Sequence, residues 1–191
     1  MEPVAAAIET VRREPPERGE PVAILGTGKV GLIVAQVYEV YGAEPYLLGN
    51  NQWKLGLARQ IGMKNVLNVG DPDWKEVLLN ATEGVGPRII VDATGTPEAL
   101  RTAMDLVRSG GTIVMRSAHR DNLPVSAFEM VTKEISLVGT RTGGYKQAID
   151  LLAKGRIEVK RLVSKQFPLD EGERAFEYAA GPDSIKVIIN V

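Results

Sequence analysis

The 191 residues include 23 basic and 24 acidic side chains and are 44% hydrophobic, a length and composition that can bury a substantial core. A net charge of −1 argues against a nucleic-acid surface, and no apolar run approaches the roughly 20 residues that span a bilayer. With no cysteine and one histidine, the chain forms no disulfide, uses no thiol and assembles no Cys/His zinc cage; no secretory signal pattern follows Met1, and a cytoplasmic address is compatible with these counts.

In chain order, Pro3–Arg13 places Val4, Ala7, Ile8 and Val11 on one helix face, and the polar stretch Glu14–Gly19 ends it. Short apolar runs then alternate with amphipathic stretches, the pattern of βαβ units and a parallel sheet. The predicted strands are Val22–Leu25, Pro45–Leu48, Asn65–Leu67, Arg88–Asp92, Thr112–Met115 and Ile135–Gly139. They are continuous in Val, Ile and Leu, as strands covered on both faces are. Between them, Val30, Ile33, Val34, Val37, Tyr38 and Tyr41 recur at helical spacing, and Leu55, Ala58 and Ile61 do so before Gly62, a C-cap. Pro97 opens a helix over Glu98–Val107 that Gly110–Gly111 closes. From Tyr145 the pattern reads as helix (Lys146–Lys154), strand (Leu162–Phe167), helix (Glu171–Ala180) and strand (Ile185–Val191).

The strand Val22–Leu25 runs into Gly26-Thr27-Gly28-Lys29-Val30-Gly31 and then a helix. In that context Gly26 permits a tight turn, Gly28 lets backbone approach a pyrophosphate, and Gly31 lets helix and strand pack closely. The helix N-terminus offers free N–H groups and a positive dipole end to phosphates. A glycine-rich turn serving packing alone would carry the same letters, but the strand before and the helix after favour dinucleotide binding. The predicted architecture is therefore α/β: a doubly wound, parallel six-stranded Rossmann sheet over residues 1–142, with a helix–strand–helix–strand tail, residues 143–191, docked on the opening helix.

The second strand ends in Gly49-Asn50-Asn51, without the acidic residue that would bind the adenosine ribose and repel a 2′-phosphate. Gly49 leaves volume there, Asn50 and Asn51 can donate hydrogen bonds, and Lys54 adds charge one turn later. Asn51 also suits the N-cap of the next helix, and the two roles are compatible. This favours NADP(H) modestly over NAD(H).

These segments together resemble the medium-chain dehydrogenase/reductases, in particular the zinc-type alcohol, polyol and threonine dehydrogenases. The likeness runs through Glu2-Pro3 and the Ala-rich helix, Val22–Gly31, Leu55–Gly62, Asp92-Ala93-Thr94-Gly95, Ser109–Val114, Ala153–Ile157, Phe167–Glu171 and Ser184–Val187. In such enzymes a catalytic barrel carrying most zinc ligands precedes this region; the resemblance implies a cofactor half with its closing tail, zinc belonging to a longer parent. Glu2 matches the third zinc-ligand position of the family, a Cys in some relatives and a Glu in the polyol and threonine branches, but one carboxylate does not hold zinc. No catalytic residue is assigned.

The resemblance further places Thr94, Gly95, Arg116 and Ser117 near the nicotinamide ribose and carboxamide. Arg116 departs from the usual small or apolar residue and could contact a phosphate or the barrel instead. Arg141 falls in a stretch that lines the cofactor cleft, and Lys186 aligns with a basic residue near the pyrophosphate; solvated surface charge is the other reading of both. His119, in the loop after the fifth strand, is either a proton relay or an exposed side chain.

The expected function is nicotinamide dinucleotide binding for an oxidoreductase that moves hydride between cofactor and an alcohol or carbonyl carbon, the chain binding without turnover. The alternative is a nucleotide-sensing regulatory module, which does not require the tail motifs. In relatives the sixth strand pairs with its copy across a two-fold axis, so a homodimer through Asp121–Gly139 is expected. The tail strands should pair with each other or with another copy.

Overall fold

The computed structural model describes residues 1–118 and 125–191. Its main sheet is parallel throughout and contains β1 (Pro21–Leu25), β2 (Glu44–Gly49), β3 (Asn65–Asn68), β4 (Ile89–Asp92), β5 (Thr112–Met115) and β6 (Ser136–Gly139). They lie in the order β3-β2-β1-β4-β5-β6, as expected of a doubly wound fold. Alternation along each strand divides the core in two. Val22, Ile24, Leu47, Ile89, Val91 and Val114 face one layer of helices; Ala23, Leu25, Tyr46, Leu48, Ile90 and Ile113 face the other.

The first layer holds α1 (Glu2–Arg13), α2 (Lys29–Val40), α3 (Gln52–Gln60) and α7 (Tyr145–Ala153). Val4, Ile8 and Val11 of α1 are buried with Ala148 of α7, so the start of the tail docks on the opening helix. The left-handed Gly144 lets them meet, because a Cβ there would lie 2.7 Å from Ile8 Cγ2. The second layer holds α4 (Trp74–Asn80) and α5 (Pro97–Leu106), with the short α6 (Ala127–Thr132) packed through Met130. Neither α4 nor α6 was expected from the sequence pattern.

Helix α5 stops at Leu106 rather than being closed by Gly110–Gly111, because Val107 turns extended (φ −64°, ψ 136°). The Leu106 carbonyl there approaches Gly86, where a Cβ would lie 2.1 Å from its oxygen. Gly110 and Gly111 instead form the turn into β5. In the tail, β7 (Val163–Pro168) and β8 (Lys186–Asn190) pair with each other as a two-stranded parallel sheet crossed by α8 (Gly172–Ala180). Among the described residues no helix is long and apolar enough to cross a membrane.

At the amino end of the sheet, Arg88 joins three segments. Its guanidinium donates to both oxygens of Glu20 (2.6 and 2.7 Å), to Glu14 Oε1 (2.5 Å) and to the Pro15 carbonyl (3.0 Å). The Tyr38 hydroxyl reaches the Glu14 carbonyl at 3.2 Å, and burial pushes its pKa up. Burial alone would raise Glu20, but hydrogen bonds from Arg88 and from the Glu17 backbone outweigh it and hold the carboxyl below its ordinary 4.5. A lowered folded-state value means stabilisation that is present above the unfolded value and lost as pH falls through the folded one. Glu20→Gln is therefore expected to cost about 1–3 kcal/mol at pH 7, with the gap to the parent narrowing below pH 4.5. Denaturant unfolding across that range checks it; a gap that does not narrow as the pH falls below 4.5 refutes it.

Candidate functional site

The carboxyl ends of β1, β2 and β4 meet where the chain turns to opposite sides of β1. Loops diverge there and leave a crevice, the general ligand position in open α/β sheets. Here it is a cleft of about 620 Å³ lined by Leu25–Gly28, Leu48–Asn51, Lys54, Val69, Trp74, Ala93, Thr94, Thr96, Glu98, Ala99 and Thr102. That volume suits a small molecule or cofactor.

The three motif glycines do different work. Gly26 has φ +110°, its N–H donates to the Leu48 carbonyl at 2.8 Å, and a Cβ would lie 2.9 Å from the Ala93 oxygen. Gly31 is closer still: a Cβ would lie 1.8 Å from the Gly26 carbonyl oxygen. Gly28 is extended at the N-cap of α2, and a Cβ there would meet nothing within 4 Å. The first two are thus required by packing, while Gly28 borders open space. The first bond of α2 runs from Leu32 N–H to the Gly28 carbonyl, so the N–H groups of Lys29, Val30 and Gly31 precede the helical ladder.

At the end of β2 the geometry differs from expectation. The volume that Gly49 opens is occupied by Thr27, since a Cβ at 49 would lie 2.5 Å from its methyl and 2.6 Å from its hydroxyl oxygen. Gly49 therefore serves a close crossing rather than a phosphate pocket. Asn51 caps α3, its Oδ1 accepting from Lys54 N–H at 2.9 Å, as one reading held. Its Nδ2 is engaged as well, donating to the Pro182 carbonyl (3.3 Å) and to Asp183 Oδ1 (3.2 Å). Asn50 stays exposed and Lys54 lines the cleft.

The ends of β4 and β5 are tied by Asp92, which is fully buried. Its Oδ1 accepts from the Thr94 N–H (3.0 Å) and hydroxyl (2.7 Å), and its carbonyl accepts from the N–H groups of Arg116 and Ser117. Ser117 Oγ in turn accepts from Gly95 N–H at 2.7 Å. Thr94, Gly95, Arg116 and Ser117 are so brought to one rim. Arg116 does not turn to the cleft: Nη1 donates to the carbonyls of Thr140 (2.7 Å) and Arg141 (2.8 Å), fixing the chain after β6. Burial pushes its pKa down, opposed by the Glu2 carboxylate.

A second hollow of about 450 Å³ lies beside this rim, between Glu9, Arg13, Met115, Ser117 and Gly139–Thr142. Arg141 lines it. Lys186 lines neither space and stands exposed on β8, the surface-charge reading of that residue. Glu2 begins α1, and among the described residues no group of three His, Cys, Asp or Glu could hold a metal, so zinc is not fitted by them. His119 and residues 121–124 of the expected dimer segment lie outside the described residues.

Sequence reasoning missed Asp92 as the positioner of Thr94, and missed Val69, Trp74, Glu98 and Thr102 as cleft walls. The apolar spacing of Trp74, Val77 and Leu78 after Asp73 was the available signal for α4.

Residues 30–154 match the model of the family described as zinc-binding dehydrogenase. A sorbitol dehydrogenase of Halalkalibacterium halodurans is 25% identical over 98% of the chain and 57% of its own length. A 2-dehydro-3-deoxy-L-galactonate 5-dehydrogenase of Pseudoalteromonas atlantica is 30% identical over 99% of the chain and 56% of its own. The chain thus spans little more than half the length of these curated relatives. Among solved structures, one from Sinorhizobium meliloti 1021, described as a candidate zinc-binding dehydrogenase bound to NADP, superposes with a TM-score of 0.88 at 25% identity, over 99% of the chain and 58% of its own. With the family model spanning more than half of its residues, the chain belongs to the zinc-binding dehydrogenases, of which it carries the cofactor-domain fold.

Proposed function

We propose that this chain grips a nicotinamide dinucleotide for an oxidoreductase that transfers hydride between the cofactor and an alcohol or carbonyl carbon. The observation that carries the reading is the contrast among the motif glycines. Gly26 and Gly31 are consumed by packing, while Gly28 leaves backbone bare at the mouth of the cleft, beside the free N–H groups of α2. The solved relative bound to NADP supports it. When bound, the dinucleotide supplies the hydride chemistry; this chain supplies grip and orientation through α2 and the Asp92–Thr94–Ser117 rim. Residues 143–191 are the tail that returns toward a substrate domain, and their motifs favour the enzyme over the regulatory module. The cytoplasm is the proposed location.

The absence of a carboxylate at the carboxyl end of β2, with Lys54 in the cleft, supports NADP(H) over NAD(H). The proposed assembly is a homodimer through β6, which among the described residues pairs with β5 alone; Phe128 and Val131 on the preceding α6 are 77% and 76% exposed.

Three outcomes follow. Gly28→Ala should change stability by less than about 1 kcal/mol and weaken dinucleotide binding about tenfold or more, whereas Gly31→Ala should cost about 3 kcal/mol in unfolding free energy. The reverse pattern would sink the proposal. Titration followed by reduced-cofactor fluorescence should show NADPH bound several-fold tighter than NADH; equal or inverted affinities remove the NADP(H) preference. Sedimentation should give a dimer that Phe128→Asp weakens, and a monomer at high concentration refutes the β6 interface.

A further inference from the structure

The end of β2 lacks an acid of its own, yet an acid stands beside it. Asp183 lies in the turn between α8 and β8, more than a hundred residues away in sequence, and accepts from Asn51 Nδ2 at 3.2 Å. The contact is not a loose surface approach. Asn51 also holds the Pro182 carbonyl at 3.3 Å, Gly181 N–H closes on the Tyr178 carbonyl at 3.1 Å, and Ile185 N–H donates to Ser164 Oγ at 2.8 Å. The turn is thus fastened before and after Asp183. Asn51 itself cannot swing away without uncapping α3, because its other amide atom accepts from Lys54 N–H.

Asn51 lines the cleft beside Gly49, Asn50 and Lys54. One end of its amide holds the turn that carries Lys54, and the other holds the carboxylate of Asp183. Lys54 and Glu98 are the charged residues among the cleft walls described, and Lys54 stands at the β2 end. A group bound between β2 and α3 would therefore feel one cation in the wall and one anion a single side chain behind it. The anion is exposed, so its influence is a few-fold effect that salt weakens, not an absolute bar.

We infer that Asp183 is a specificity-determining residue: the tail supplies the negative charge that the carboxyl end of β2 lacks, and it acts against a second phosphate on the adenosine ribose while leaving a free ribose hydroxyl unaffected. The inference rests on the dinucleotide reading above. Lys54 and Asp183 then oppose one another, which holds the preference for a 2′-phosphate small, and loss of Asp183 enlarges it.

Asp183→Asn tests this cleanly, because the substituted amide keeps the oxygen that Asn51 donates to and removes only the charge. NADPH and NADH affinities are measured by fluorescence titration for parent and variant at low and high salt. The expected result is a three- to tenfold rise, roughly, in the preference for NADPH at low ionic strength, shrinking at about 0.5 M salt, with unchanged unfolding midpoint. Asp183→Ala should shift the preference the same way while also lowering the midpoint. A preference in Asp183→Asn within twofold of the parent at low salt, with both cofactors still bound, overturns the inference alone. Equal change in both affinities does so too, since that marks a merely structural contact. Binding of neither cofactor by the parent overturns the dinucleotide reading and the inference with it.

Discussion

The contact on which the rest depends is between two backbones. The Gly26 carbonyl fills the space that a side chain at position 31 would need, so α2 seats directly on the turn that leaves β1. A glycine inside a helix costs about 1 kcal/mol relative to alanine. Here the helix recovers it by burying Leu32, Ile33, Val34, Val37 and Tyr38 against the sheet. The same closeness fixes where α2 begins, and hence where its unpaired N–H groups point. A helix displaced by one methyl group would pack less well and would also aim its first turn elsewhere. Stability and ligand geometry are here one constraint.

From that point the cleft is assembled by parallel ladders running one residue beyond the strands. Gly26 N–H reaches Leu48, Ala93 N–H reaches Leu25, and Val69 N–H reaches Gly49. These bonds hold the loop bases rigid while their tips diverge. Asp92 extends the order to the other side by joining Thr94 to the backbone at the end of β5. Buried hydrogen bonds of this kind specify a unique arrangement because each broken one leaves a polar group without water. Thr96 N–H, donating to the Thr94 hydroxyl at 3.2 Å, continues the chain into α5.

What could be read from the sequence follows the range of the interactions involved. The strands and most helices were legible because a run such as Arg88–Asp92 or the spacing of Val30, Val34 and Val37 is decided by burial on a period the letters display. The glycine motif was legible because strand, turn and helix are contiguous. The β2 end was misread where the deciding partners are remote. The space beside Gly49 belongs to Thr27, 22 positions earlier, and the amide of Asn51 belongs to Pro182 and Asp183, separated by 131 and 132 positions. Arg116 went astray for the same reason, since its acceptors are carbonyls 24 and 25 residues on, and carbonyls carry no sequence signature. Helix α4 escaped because its Asp73 makes no side-chain cap and only Leu78 of it is fully buried.

The paired tail strands have a consequence for how the molecule behaves in a crowd. In a two-stranded sheet each strand is paired along one side, so among the described residues β7 and β8 each present a backbone edge that no further strand covers. Each strand also carries a lysine: Lys165 on β7, with its ammonium 4.9 Å from the Phe167 ring centre, and Lys186 on β8. Copies that tried to stack edge to edge would bring like charges together, and Pro168 withholds an N–H at the end of β7. These lysines act as gatekeepers against fibre-like addition of further strands. Their guard is electrostatic, so it weakens as ionic strength rises, and colloidal stability becomes a property that salt can withdraw from a fold whose core it barely touches.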